Sequence, residues 1–194
     1  MKTIKINAND SGQRLDSFLK KLMPSAPFSL LYKYLRTNKI KLNRKKVSLD
    51  TRIAEGDVLD YYGDDTLWEN KAFIPKKYSL DIIYEDENII LINKPACLAC
   101  QPDENHRSGT LVDFVKSYLF EKGEYKPENE HSFAPALCNR LDFNTSGIVI
   151  AAKNGESLRL INEKIRNKEV RKFYLCKVVG IPEPTKGIIT APLE

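Results

Sequence analysis

The chain has 194 residues, 42% hydrophobic and 29% charged, with a formal net charge of +5. That is ordinary globular composition, enough for one medium domain or a small one joined to a larger one. No apolar run approaches the ~20 residues that cross a bilayer, and residues 1–6 alternate like a strand instead of forming a signal peptide's apolar stretch. The expectation is a cytoplasmic protein without a membrane partner.

The charge is unevenly placed. Residues 1–62 hold 13 Lys/Arg against 6 Asp/Glu, a net +7, whereas residues 63–194 hold 18 against 20, a net −2. A positive excess confined to the first third points to a polyanion partner there, and in a cytosol that is nucleic acid. Cys97, Cys100, Cys138 and Cys176 read as free thiols in such a compartment. Cys97 and Cys100 form a CxxC pair, but no second close pair accompanies it, so no metal site is expected.

In chain order, Leu15, Phe18, Leu19 and Leu22 fall at i, i+3, i+4 and i+7, which predicts an amphipathic helix ended by Pro24. A second helix is predicted over 29–37, burying Leu31, Tyr34 and Leu35 and turning Lys33 and Arg36 outward. Residues 39–43 alternate as a strand, 43–46 make a basic turn, and Val47 begins a return strand; a last strand covers 58–61 after a turn at Gly56. Residues 63–77 read as a linker, with Trp68 docked on one domain. Beyond it, 80–84 and 89–93 are strands joined by a turn at 85–88. Residues 109–120 are helical, 121–135 a polar loop, and 148–152 a buried strand; Asn154 opens a further helix, and 173–179 form another strand. Strands and helices mix without a βαβ rhythm, so the fold class is α+β. The division is 1–62, a linker 63–77, and 78–194.

Helix, helix and basic strand-turn-strand would lay Arg14, Lys33, Arg36, Lys39, Lys41, Asn43, Arg44, Lys45 and Lys46 along one surface for RNA. The plain alternative is a solvated charged face. Gly12-x-Arg14-Leu15-Asp16-x-Phe18-Leu19, then residues 39–47, then Gly56-Asp57 resemble the S4 RNA-binding module. That module names a partner and not a reaction.

The chemistry-bearing stretch is Asn139-Arg140-Leu141-Asp142-Phe143-Asn144-Thr145-Ser146-Gly147. Arg140 and Asp142 stand at i and i+2, so extended backbone projects both to one face. A guanidinium beside a carboxylate keeps it ionised, as a nucleophile requires. Taken alone, the pair fits a structural ion pair at a strand entrance equally well.

The longer string resembles the HRLDxxTSG signature of the RluA-type pseudouridine synthases. Asn93-Lys94-Pro95-Ala96-Cys97-Leu98 with Pro102 is similar to the family's NKPAGL…P segment, and Lys172-Phe173-Tyr174 through Gly180 to its KxYxAxVxG strand. The resemblance implies a mixed, mainly antiparallel-sheet catalytic domain behind the S4 module, acting on uridines in structured RNA, ribosomal RNA being the expected target. It further implies a flipped nucleotide, Asp142 as nucleophile, Arg140 paired with it, and Tyr174 stacked on the uracil or moving protons. Asn144, Thr145 and Ser146 would line the substrate pocket; no cofactor is implied, and a monomer is expected.

The string departs from the pattern at Asn139, where His is usual, and at Cys97, where Gly is common. If that backbone needs a positive φ, Cys97 is strained. The family continues beyond the equivalent of residues 188–194, so a C-terminally incomplete catalytic domain is expected. The competing readings are an S4-type RNA-binding protein with an inactive synthase domain, and a glycosidase. A glycosidase would need a carboxylate facing Asp142, whereas Glu156 and Glu163 fall on a predicted helix.

Overall fold

Helical spacing turns into a buried face at once: α1 (Leu15–Leu22) buries Leu15, Phe18, Leu19 and Leu22, and α2 (Phe28–Arg36) buries Leu31, Tyr34 and Leu35. The computed structural model describes residues 1–68, 73–181, 183–188 and 190. The linker positions 69–72 and positions 191–194 lie outside these. Both helices pack on an antiparallel sheet of β1 (Lys2–Lys5), β3 (Val58–Tyr61) and β2 (Ile40–Leu42), in the order β1-β3-β2. Ile4, Ile40, Leu59 and Tyr61 complete that core.

The return strand expected at Val47 is absent. Leu42 and Lys45 close a two-residue turn through paired backbone hydrogen bonds of 3.0 and 2.9 Å, and β2 pairs with β3 instead. The chain after the turn has other work. Carbonyls of Leu49, Thr51 and Ile53 accept the N–H groups of Asp16, Leu15 and Gly12. The start of α1 has no side-chain cap, so these carbonyls satisfy donors that a helix N-terminus leaves unpaired.

Trp68 docks on the first core, edge-on to Tyr61 at 5.3 Å. Phe73 packs in the second core against Phe120 and Tyr125. The region read as a linker is therefore anchored on both sides.

The second sheet is antiparallel throughout, in the order β4 (Ile82–Glu85), β5 (Ile89–Lys94), β7 (Gly147–Ala152), β6 (Ala136–Leu137). Sequence reading had 121–135 as loop and missed β6, which is only two residues long. Ile90, Ile92, Val149 and Ala151 share one face with Leu111, Val115 and Leu119 of α3 (Leu111–Glu121). Asp113 accepts the Gly109 and Thr110 N–H groups at the start of that helix. Asn154 caps α4 (Gly155–Arg166) by accepting the Ser157 N–H at 2.8 Å. The architecture is a mixed fold with antiparallel sheets.

The strand expected over 173–179 does not form. Those residues pair with nothing among the described residues, and Phe173, Leu175 and Val179 stand exposed. Alternating side chains do not make a strand without a partner's backbone groups, and the sheet ends on the two residues of β6.

The two parts touch through polar groups. Asn9 donates to Glu130 at 2.8 Å and accepts the Gly155 N–H at 2.9 Å, while Gln13 donates to Ser132 at 2.8 Å. Fully buried Asp10 accepts the Ser132 N–H. A Cβ at position 155 would lie 2.5 Å from the Asn9 carbonyl oxygen, so only glycine fits there.

A cation cluster ties β4 to α3 and to the end of β7. Glu85 accepts from Tyr118 at 2.6 Å, Lys122 at 2.7 Å and Lys153 at 3.0 Å. Burial alone would raise the Glu85 carboxyl, but these three donors outweigh it and bring it down to about 2. A depressed carboxylate stabilises the fold above its unfolded value and loses that contribution as pH falls through the folded one. Glu85→Gln should cost about 1–2 kcal/mol at neutral pH, after allowance for solvent screening. The gap in urea midpoint between wild type and variant should close as pH falls from about 4.5 toward 2; a gap independent of pH would refute this.

Candidate active site

The site is built on the end of β5 and the entrance to β7. After Lys94 the chain turns, with Cys97 at φ 61, the left-handed conformation expected where the sequence pattern carries glycine. Lys94 is fully buried, and its ammonium donates to the carbonyls of Pro95 (2.9 Å), Leu98 (2.9 Å) and Phe143 (3.2 Å). A buried cation survives only when its donors are satisfied. Here they are carbonyls of two separate loops, which Lys94 fastens together.

Cys100 adds a second fastening. Its sulfur lies 3.3 Å from both the Leu141 nitrogen and the Leu141 oxygen. The CxxC pair thus divides, with Cys100 buried against backbone and Cys97 exposed, 3.7 Å from the Asn144 amide oxygen. Asn139 hydrogen-bonds along β7, accepting the Ile150 N–H at 2.8 Å and donating to the Ile148 carbonyl at 3.2 Å. Its amide extends the pairing of β6 with β7 just where the chain leaves toward Asp142.

Asp142 heads a turn closed by the Thr145 N–H on its own carbonyl at 3.0 Å. The residue is exposed and, with Arg140, Gln101, Pro102 and Asp103, lines a cleft of ≈ 520 Å³, a size that accepts a small organic group. The expected ion pair between Arg140 and Asp142 is not made among the described residues. Both face one cleft as their spacing predicts, but water screens them, and an exposed pair gains little by closing.

Asn144, Thr145, Ser146 and Tyr174 line a different cleft, of ≈ 810 Å³, with Ile148, Ile150 and Ile165. Leu141 borders both spaces. The structure therefore brings Arg140 and Asp142 together and sets Tyr174 apart, 64% exposed on the unpaired 173–179 segment. Sequence reading missed His106. Its ring stacks on Phe143 at 4.5 Å and pairs with Asp103 at 3.0 Å. The Asp-x-x-His spacing over 103–106 was the available signal.

In the N-terminal module Lys33, Arg36, Lys39, Arg44, Lys45 and Lys46 are exposed, and Lys41 is half-buried. Arg14 is spent on Asp16, which it grips through two nitrogens. The Asn43 amide is also engaged, donating to Asp57 at 2.8 Å and accepting the Val58 N–H at 2.9 Å. Exposed Tyr32 stands beside Lys33 on α2, an aromatic that charge counting did not single out.

Asn43 and Arg44 both lie at positive φ, 52 and 64, as a two-residue hairpin turn demands. Glycine usually takes the second place, so Arg44 is held there at a cost. Arg44→Gly should raise stability by about 0.5–1 kcal/mol. On the expectation that this turn meets RNA, the same change should weaken RNA binding and reduce its salt slope by about 1. Unchanged affinity and slope in a salt titration would remove this turn from the interface.

Against this geometry, a family model described as RNA pseudouridylate synthase matches residues 88–194, more than half of the chain. The chain belongs to that family. The match takes in both loops of the Asp142 cleft and all of β5, β6 and β7. An uncharacterized RNA pseudouridine synthase of Mycoplasma capricolum is 37% identical over 177 residues, covering 87% of this chain and 56% of that protein. A ribosomal large subunit pseudouridine synthase C of Buchnera aphidicola is 32% identical over 195 residues, covering 98% and 59%. A solved structure of human RNA pseudouridylate synthase domain containing 4 is similar at 24% identity and a TM-score of 0.35, covering 45% of this chain and 30% of that one. The chain spans just over half the length of the curated relatives it matches. No described helix is long and apolar enough to cross a membrane.

Proposed function

We propose that this protein converts uridine to pseudouridine in structured RNA, with Asp142 as nucleophile and ribosomal RNA as the target. The observation that carries the reading is the Asp142 carboxylate itself. In a chain of this family it stands exposed at the head of a tight turn, on the wall of a ≈ 520 Å³ cleft. The ribosomal target rests on the names of relatives such as the Buchnera protein.

The nucleotide flips out of its stack and Asp142 attacks the nucleoside. The N-glycosidic bond breaks, the uracil turns, and its C5 bonds to C1′ of the ribose; the bond to Asp142 breaks, the C5 proton passes to water and N1 takes up a proton, so no atoms are gained or lost overall. Arg140, beside Asp142 in the cleft, holds the vacated space in the RNA. The N-terminal 62 residues, read as an S4-type module, grip phosphates through Lys33, Arg36, Lys39, Lys41 and the 44–46 turn. The protein works in the cytoplasm as a monomer without a cofactor.

The loss of the C5 hydrogen supplies the test. RNA transcribed with 5-tritiated uridine should release tritium to water when incubated with the protein, and release should stop at a small whole number of sites. One observation favours the second reading, an RNA-binding protein without isomerase activity: Tyr174 faces the neighbouring cleft and not that of Asp142. Tight binding of the same RNA with no tritium release would establish that reading and remove the first.

A further inference from the structure

Two walls form the Asp142 cleft, residues 99–103 and residues 140–143. At its base the walls are joined by Cys100 on the Leu141 backbone. At the other end the first wall runs into a short loop closed on itself. Asp103 accepts the N–H groups of Asn105 (2.9 Å) and His106 (2.6 Å) and also contacts the His106 ring nitrogen Nδ1 at 3.0 Å. The Asp103 N–H returns to the His106 carbonyl at 3.1 Å. This closed turn fixes the imidazole in one direction, with its ring stacked on Phe143 at 4.5 Å and an interplanar angle of 25°.

Phe143 directly follows Asp142 and is 38% exposed, so solvent alone would leave its ring free to swing. It is held at two points: the carbonyl by Lys94 and the ring by His106. The carbonyl bond fixes where the turn sits. The ring contact holds the side chain of the residue next to Asp142.

We propose that His106 is a positioning residue for Asp142, acting by clamping the Phe143 ring so that the carboxylate stays aimed into the cleft. This rests on the uridine isomerase reading above. A displacement near 1 Å of a reacting group costs up to about 10²-fold in rate, while an aromatic stack contributes only about 0.5–1.5 kcal/mol to stability. Loss of the clamp therefore shows in turnover far more than in folding.

The test uses the full chain and tritium release from 5-tritiated RNA, with wild type, His106→Ala and His106→Phe, the last keeping a ring to stack on Phe143. His106→Ala should lower kcat at least about tenfold, with KM and RNA affinity within about threefold and the melting midpoint nearly unmoved. His106→Phe should recover kcat to within about threefold of wild type. A wild-type kcat in His106→Ala, a loss carried by KM or by the melting midpoint, or a His106→Phe as slow as the alanine variant each overturns the clamp. Those failures leave the isomerase reading standing, because wild type is then active. A wild type that releases no tritium sinks the isomerase reading and the clamp with it.

Discussion

Asp142→Asn is expected to reduce uridine isomerisation by at least about 10³-fold, the scale on which removing a covalent nucleophile acts. The substitution keeps the size and shape of the side chain and removes its charge and nucleophilicity. Its structural cost should be small. Asp142 is exposed and contributes to its turn through the backbone carbonyl that Thr145 bonds at 3.0 Å, which asparagine retains. Exposed substitutions of this kind stay within about 0.5 kcal/mol of wild type. RNA affinity should hold within about twofold, since binding is assigned to basic groups of the N-terminal module. Tritium release at the wild-type rate would take Asp142 out of the mechanism. Equal losses of binding and release would assign it to RNA contact instead.

Lys94→Met should produce the largest loss of stability, roughly 2–4 kcal/mol, because backbone carbonyls that lose their hydrogen-bond donor in a sheltered site cost about 1–3 kcal/mol each. Methionine matches the lysine stem in length but offers no donor. The carbonyls of Pro95, Leu98 and Phe143 would then face a thioether. Against a total stability of 5–15 kcal/mol for a typical domain, such a loss is readily measured as a shift in urea midpoint. The variant should also lose turnover beyond what unfolding explains, because the Phe143 carbonyl anchors the turn that Asp142 heads. A midpoint within the equivalent of 1 kcal/mol of wild type would show that the three carbonyls find other partners, and that Lys94 does not fasten the two loops.

These effects meet on one turn, read unequally well from the residues. Arg140 and Asp142 at i, i+2 were read as projecting to one face, and both line the ≈ 520 Å³ cleft. Their ion pair did not follow, since spacing says nothing about how far water screens two exposed groups. Cys97 at a glycine position left open whether the backbone there needs a positive φ, and φ 61 is what the chain adopts. Lys94 was visible only as part of a motif. Its complete burial depends on two loops 49 residues apart in sequence arriving at one ammonium. His106 was passed over for the same reason, as its partner Phe143 lies far along the chain. Tyr174 was grouped with Asp142 by motif, whereas the unpaired 173–179 segment leaves it on a different cleft.

The elements follow the same division. The amphipathic helices α1, α2, α3 and α4, and the hairpin of β4 and β5, were legible because their signals are local: a 3.6-residue period, a capping Asn154, a polar turn at 85–88. So was the concentration of positive charge in the first third, which needs only counting. Strand partnership was not legible. Val47 looked like a return strand, yet residues 49–53 cap α1 because backbone donors there had no nearer acceptor. Residues by themselves determined which segments could be helical, extended or basic, and that one carboxylate sits beside an arginine in a pseudouridylate synthase pattern. Tertiary structure alone decided which extended segments found an edge, which cation was buried, and which ring holds the turn of Asp142. Each of these depends on hydrogen-bond and packing partners supplied by distant parts of the chain, and local sequence does not carry that information.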